Sequence, residues 1–137
     1  MQKPLSAQEA LIWVMVTTAI ADRNMTEREL NQFERLIGFL PVFQGFEGSV
    51  GEIADACSEN LKSVNGIDHI LDRVAMSLPE RLYETAYALA VEVAASDVEV
   101  EQEELVFLQM LEDRFSLDKL AVAAIEHSAR VRYRRLG

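Results

Sequence analysis

The chain has 137 residues, half of them apolar, and a formal net charge of −10 from 23 acidic and 13 basic side chains. A chain of this size can bury enough surface to fold as one domain without disulfides or a structural metal. Its negative charge repels nucleic-acid phosphates and anionic lipid headgroups, so we expect no nucleic-acid partner. The longest apolar run, Ala10 to Val16, is far shorter than a membrane span, and we expect no direct membrane insertion. The single cysteine, Cys57, favours a reducing compartment and hence a cytoplasmic location.

Apolar residues at helical spacing, separated by Gly and Pro, predict the elements in chain order. The predicted helices are Leu5–Ala21, Thr26–Ile37, Ile53–Leu61, Ile67–Leu78, Pro79–Ala95, Glu101–Phe115 and Leu117–Arg134. The first and fifth are apolar on nearly every side and should be central, and Ser116 is the expected N-cap of the last. Four residues of the central pair should be buried: Trp13, Val16, Leu89 and Val93. Because no segment alternates convincingly like a strand, we predict an all-α, compact single-domain bundle of about six to seven helices over residues 1–137.

An internal repeat relates two parts of the chain, at about residues 5–40 and 79–115. A shift of 75 residues lays Val16, Ala19, Asp22, Met25, Glu29, Leu30, Phe33 and Leu36 over Val91, Ala94, Asp97, Val100, Glu104, Leu105, Leu108 and Leu111. Each copy reads as an apolar helix, an Asp, a short loop and a Glu-Leu pair near the start of an amphipathic helix. Two such copies can pair about a pseudo-two-fold axis and bury the first helix of each.

The repeated acidic motif resembles that of the TerB-like tellurite-resistance family. The residues that carry the resemblance are Ala21-Asp22 with Glu29-Leu30, and Ser96-Asp97 with Glu104-Leu105. Members usually have Gly after the Asp, where this chain has Arg23 and Val98. The resemblance implies an all-helical, pseudo-two-fold fold and a role related to stress or tellurite resistance. It also implies a divalent cation, usually Ca²⁺, bound by four carboxylates: Asp22, Glu29, Asp97 and Glu104.

The residues themselves leave two interpretations of these carboxylates open. Asp22 and Asp97 follow the ends of apolar helices, where the helix dipole disfavours an anion, and a hard cation held by oxygen ligands would compensate. Each Asp can equally bond loop amides in an Asx turn. Thr26 and Glu29 fit a capping box, which needs no metal. The second copy has a Glu at the matching N-cap position, a poor cap, so capping explains Glu104 less well.

No catalytic motif is visible, and we expect a protein that is not an enzyme. The chain has no glycine-rich phosphate loop and no nucleophile elbow. His69 and His127 lack metal-ligand spacing and are expected at the surface or half-buried. Cys57 lies on an apolar helix face and is expected to fill the core as an inert thiol.

Two other features are able to carry an interaction with another protein. The connection after the second predicted helix contains three aromatic residues: Phe39, Phe43 and Phe46. They either anchor a partner or form a lid on the core. The C-terminal segment is rich in arginine: Arg130, Arg132, Arg134 and Arg135. It either docks on an acidic partner or complements the helix dipole. The sequence therefore supports two hypotheses, a TerB-like Ca²⁺-binding module and a metal-free helical adaptor for protein–protein interaction.

Overall fold

The computed structural model describes residues 4–20, 25–96 and 102–137, and of 102–104 the backbone alone. These ranges form seven α-helices and contain no β-strand, which confirms the predicted all-α bundle. The helices are α1 (Ala7–Ala19), α2 (Glu27–Phe39), α3 (Val50–Leu61), α4 (Gly66–Ser77), α5 (Tyr83–Ser96), α6 (Gln102–Phe115) and α7 (Lys119–Arg132). Short 3-10 turns at Pro41–Phe43 and Glu80–Leu82 lie between α2 and α3 and directly before α5.

The helix α1 lies at the centre because its sequence offers water almost no polar face. Every residue from Ala10 to Ala19 is buried, and the helix packs against α2, α3, α4, α5 and α6. A capping box begins it: the Ser6 hydroxyl accepts from the Glu9 N–H at 3.1 Å, and the Glu9 carboxylate accepts from the Ser6 N–H at 2.8 Å. Inside the helix, the Thr18 hydroxyl donates to the Val14 carbonyl at 2.8 Å, so this buried polar group is satisfied.

The aromatic connection between α2 and α3 divides into a buried and an exposed part. Phe43 is buried, Phe46 is half-buried, and their rings meet edge-on with centroids 6.5 Å apart. The Gln8 amide of α1 donates to two backbone carbonyls of this segment at 3.2 Å each and holds it against the bundle. Phe39, at the end of α2, is 79% exposed. The lid interpretation therefore holds for Phe43 and Phe46 and not for Phe39.

The expected N-cap of the last helix, Ser116, was wrong. Ser116 has φ of 51° and follows α6 as its left-handed terminator. Its N–H donates to the Asp113 carbonyl at 3.3 Å, and the Leu117 N–H donates to the Glu112 carbonyl at 3.2 Å, which is the Schellman pattern. The cap of α7 is Asp118, whose carboxylate accepts a backbone N–H of the first turn at 3.1 Å. A carboxylate suits that place because the helix dipole is positive there.

The helices follow the 75-residue offset read from the sequence. Shifting α1 gives 82–94, close to α5, and shifting α2 gives 102–114, close to α6. The same offset relates a contact between α1 and α3 to a contact between α5 and α7. In the first, Thr17 Oγ1 lies 3.4 Å from Cys57 Sγ, and in the second, Glu92 Oε1 lies 2.6 Å from Arg132 Nη1. Because both members of the pair shift by 75, α3 and α7 are counterparts as well. The two central helices, α1 and α5, pack against each other.

The predicted core residues of the central pair are buried. Trp13, Val16, Leu89 and Val93 are all at most 4% exposed, which confirms that prediction. They belong to one continuous apolar cluster that also includes side chains from the other helices. The bundle therefore rests on α1 and α5, with the shorter amphipathic helices packed around them.

Candidate functional site

Glu29, one of the four predicted cation ligands, takes part in the capping box that the sequence suggested. Its carboxylate Oε1 accepts from the Thr26 N–H at 2.9 Å and from the Thr26 hydroxyl at 3.0 Å. In return the Thr26 hydroxyl accepts from the Glu29 N–H at 3.2 Å. The side chain is buried, so this reciprocal cap stabilises the start of α2 without any metal.

The other predicted ligands lie wholly or partly outside the described residues. Asp22 and Asp97 are outside them, and of Glu104 only the backbone, in α6, is described. Within the described part of the chain, no three His, Cys, Asp or Glu side chains form a group able to hold a metal ion. Because Asp22 and Asp97 lie outside that part of the chain, the predicted cation site stays a prediction.

The C-terminal end of α5 lies beside the first turns of α2. The Ser96 hydroxyl is 3.2 Å from Gln32 Oε1 across the two helices. Around this contact is a cavity of about 430 Å³, lined by Thr26, Arg28, Glu29, Gln32, Arg35, Ser96 and Tyr133. The structure therefore brings Glu29 of the first copy and Ser96 of the second to one cavity, which two arginines, Arg28 and Arg35, also line.

A larger and more apolar groove of about 670 Å³ runs along α5, between α2 and α7. We call it the α5 groove and define it by its lining residues: Leu36, Phe39, Leu40, Thr85, Ala88, Leu89, Glu92, Ala124, Ile125, Ser128 and Arg132. The residues from α5 recur at one helical face, so α5 is the floor, while α2 and α7 are the walls. Small side chains leave the space open: Thr85 and Ala88 in the floor, Ala124 and Ser128 in the α7 wall.

Polar contacts between α5 and α7 fix one wall of the groove. The Tyr87 hydroxyl donates to Glu126 Oε2 at 2.6 Å, and the Arg132 guanidinium donates to Glu92 Oε1 at 2.6 Å. The Tyr133 hydroxyl donates to the other oxygen of Glu92. Burial, and then the contact with Glu92, raise the pKa of Tyr133 to about 12, so this hydroxyl remains a donor at neutral pH.

The two sequence features predicted to carry an interaction meet at this groove. Phe39 represents the aromatic connection and is the most exposed large apolar side chain of the lining. Arg132 represents the arginine-rich tail and lies at the Glu92 end. The remaining tail arginines, Arg130, Arg134 and Arg135, are exposed. The sequence did not indicate that the two features would share one surface.

The structure confirms the expected environments of the thiol and imidazole groups. Cys57 is fully buried, and burial raises the pKa of its thiol to about 12, so it is neutral and inert as predicted. His69 is half-buried and His127 is exposed.

Sequence reasoning missed the floor of the α5 groove. The available signal was the repeat itself, because Ala88 stands in α5 where α1 has Trp13. A loss of volume at one of two matched positions predicts a space in the second copy unless another side chain fills it. Glu92, at the position of Thr17, carries a similar signal, since it places a charge on an otherwise apolar helix.

In comparisons with known proteins, no family model, no curated protein and no solved structure matches the chain. Within the described residues, no helix combines the length and apolar character that crossing a membrane requires.

Proposed function

We propose that the chain is a non-enzymatic, cytoplasmic interaction module that binds another protein in the α5 groove. The observation that carries this proposal is that Phe39, 79% exposed, and Arg132 of the tail line one apolar groove. Interfaces are enriched in aromatic and arginine side chains at their energetic centres, and exposed apolar grooves mark binding sites. The capping role of Glu29 agrees with the adaptor hypothesis, in which the acids cap helices.

Site-specific photocrosslinking in cells tests this proposal. A benzophenone amino acid at Ala124 stands in the groove wall, and the same group at Ala123, an exposed alanine of α7 that does not line the groove, is the matched control. We expect a discrete crosslinked protein from position 124 and none from position 123. Equal crosslinking at both positions, or none at either, would contradict the proposal.

A second candidate function is the TerB-like one, a module in which a divalent cation, Ca²⁺ by the chemistry of its oxygen ligands, stiffens or switches the binding surface in a stress-related or tellurite-resistance pathway. The observation that favours it is the Ser96–Gln32 contact, because it brings the residue before Asp97 next to the helix that carries Glu29. Under this candidate the two acidic motifs act together across the copies.

A calcium titration separates the two candidates. If Ca²⁺ binds only the folded chain, a hundredfold excess over Kd adds about 2.7 kcal/mol of stability, and the thermal midpoint rises. Asp97→Asn and Glu104→Gln should abolish that rise, whereas Asp68→Asn, which removes an exposed acid of α4 outside the predicted set, should preserve it. An unchanged midpoint in the unmutated protein would leave the metal-free adaptor.

A further inference from the structure

The helix α4 packs in a defined position over α1, which we call its seat, in the first half of the molecule. It packs against α1, α3 and α6. Its apolar face places Ile70, Leu71 and Val74 in the core, and with Ile67 these residues recur at i, i+3, i+4 and i+7. The guanidinium of Arg73 lies 4.8 Å from the centroid of the Trp13 ring, so α4 covers the outer side of α1 at this residue.

When each helix is replaced by its counterpart in the other copy of the repeat, the position that α4 occupies corresponds to the α5 groove. Under the exchange, α1, α3 and α6 become α5, α7 and α2, and these are the three helices that line the groove. Trp13, which α4 covers, becomes Ala88, a residue of the groove floor. No helix of the described residues occupies the position over α5 that α4 occupies over α1.

From this equivalence we propose that the α5 groove binds an amphipathic helix of a partner protein, seated over α5 as α4 is seated over α1. This inference rests on the proposed function and specifies the partner's chemistry. The incoming helix carries apolar residues at i, i+3, i+4 and i+7, as α4 does. One of them is large, because it fills the space that Ala88 leaves where the first copy has Trp13.

The physical properties of the groove suit a helix. The walls and floor present side chains from three helices, α2, α5 and α7, and the small residues Thr85, Ala88, Ala124 and Ser128 allow another helix to approach closely. An extended peptide would need backbone hydrogen-bond partners, and the walls and floor are helical segments whose backbone groups are largely paired within the helices.

A helix from a second copy of this chain is a weaker occupant. Each copy carries a formal charge of −10, so two copies repel each other on average, most strongly at low salt. A partner of different composition avoids that repulsion, and Phe39 on the α2 wall gives it an aromatic anchor.

Selection of displayed helices on the whole protein tests this inference. The probe is a phage library of 18-residue amphipathic helices whose apolar positions follow the i, i+3, i+4, i+7 pattern of α4 and vary among apolar residues. Selected peptides are then measured against Ala124→Trp, which fills the groove, and Ala123→Trp, the matched change at an exposed residue of α7 outside the groove. A second pair is Phe39→Ala and Met76→Ala, both at highly exposed apolar residues, of which only Phe39 lines the groove.

We expect binders whose affinity falls at least about tenfold in Ala124→Trp and in Phe39→Ala, and stays unchanged in the two control variants. A proline placed at the centre of each selected peptide should cost a similar factor, because it breaks the helix and keeps the other side chains.

Three results would overturn the inference. Peptides that bind the groove equally well with the central proline would mean that the site takes a non-helical segment, and the proposed interaction module would still stand. A concentration-dependent dimer in sedimentation, lost in Ala124→Trp, would assign the groove to a second copy. An absence of any binder sensitive to Ala124→Trp would overturn the helix seat, and the photocrosslinking at position 124 would then decide the proposed function separately.

Discussion

The central helices α1 and α5 carry the same repeat pattern and differ in what covers them. In α1, Trp13 and Thr17 are buried beneath α4 and α3. At the same repeat positions of α5, Ala88 and Glu92 are only half-buried and line the α5 groove. The comparison teaches that an apolar pattern makes a helix central, whereas the number of helices around it decides whether its last face is core or surface.

The contacts of α3 and α7 show the chemical side of this difference. In the first half, which we call closed because α4 covers α1, the helices α1 and α3 are joined by a buried hydroxyl and thiol. Thr17 Oγ1 and Cys57 Sγ are 3.4 Å apart. In the open half, the matching pair is Arg132 and Glu92, an ion pair with the arginine half exposed. A charged pair is compatible with the water that reaches the groove, because its charges stay partly solvated. A neutral thiol is compatible with the closed half, where water is excluded.

The largest expected effect compares α1, which α4 covers, with α5, whose matching face is open at the groove. Trp13→Ala removes a fully buried indole beneath Arg73 and should lower the free energy of unfolding by about 3–5 kcal/mol. Leu89→Ala is also in the core but lines the groove, where solvent reaches the space left behind. We expect a loss near the lower end of the range of about 2–5 kcal/mol for such changes. Urea unfolding monitored by circular dichroism measures both losses.

A loss below about half a kcal/mol for Leu89→Ala would place that residue on the surface and contradict the packing of α5. Equal losses of unfolding free energy for the two variants would mean that α1 and α5 are equally well covered, so the two helices would not differ in their exposure to solvent.

The sequence predicted the covered helices better than the open surface. Near-continuous apolar character identified α1 and α5, and the Thr26 and Glu29 spacing predicted a cap that is confirmed. Such features depend on residues close together in the chain. The α5 groove could not be predicted in the same way, because it requires the relative placement of three helices that are distant in sequence. The Ser116 prediction failed for a different, local reason: Ser is favoured as an N-cap, but here Ser116 takes the left-handed conformation that ends α6, a position that Gly or Asn usually occupies.

The next prediction concerns the corner that holds α4 in its seat. A Cβ on Gly66 would lie 2.4 Å from the Leu61 carbonyl oxygen, so Gly66→Ala must separate α3 from α4 or distort the corner. We expect a loss of about 1–3 kcal/mol. Gly38→Ala, near the end of α2, is the control, because a Cβ there meets nothing within 4 Å, and it should stabilise the chain by up to about 1 kcal/mol. Thermal unfolding distinguishes the two. A neutral Gly66→Ala would show that the corner adjusts without cost.

The folded protein should also lose stability at high pH, because of the buried thiol in its closed half. The pKa of the Cys57 thiol rises from its ordinary value of 9.0 to about 12 on burial, so the folded state keeps a proton that the unfolded state releases. Stability from this group is complete below pH 9 and falls as pH rises toward 12, by about 1.4 kcal/mol per pH unit at most. Cys57→Ala should unfold with a shallower pH dependence between these values. Both proteins contain the same tyrosines, so the difference in slope isolates the thiol, and parallel slopes would contradict its burial.

The smallest expected effect tests the ion pair of the open half. Glu92→Gln keeps the shape of the side chain but removes the charge that faces Arg132 at 2.6 Å and accepts from Tyr133. Because the arginine is half exposed, we expect a loss of about 0.2–1 kcal/mol at low salt. The loss should shrink in about 1 M NaCl, where the screening length falls to about 3 Å. Urea unfolding at the two salt concentrations gives this difference. If the loss is the same in both, Glu92 acts through packing and hydrogen bonds rather than charge, and the two halves of the repeat then join α3 to α1 and α7 to α5 by the same kind of contact.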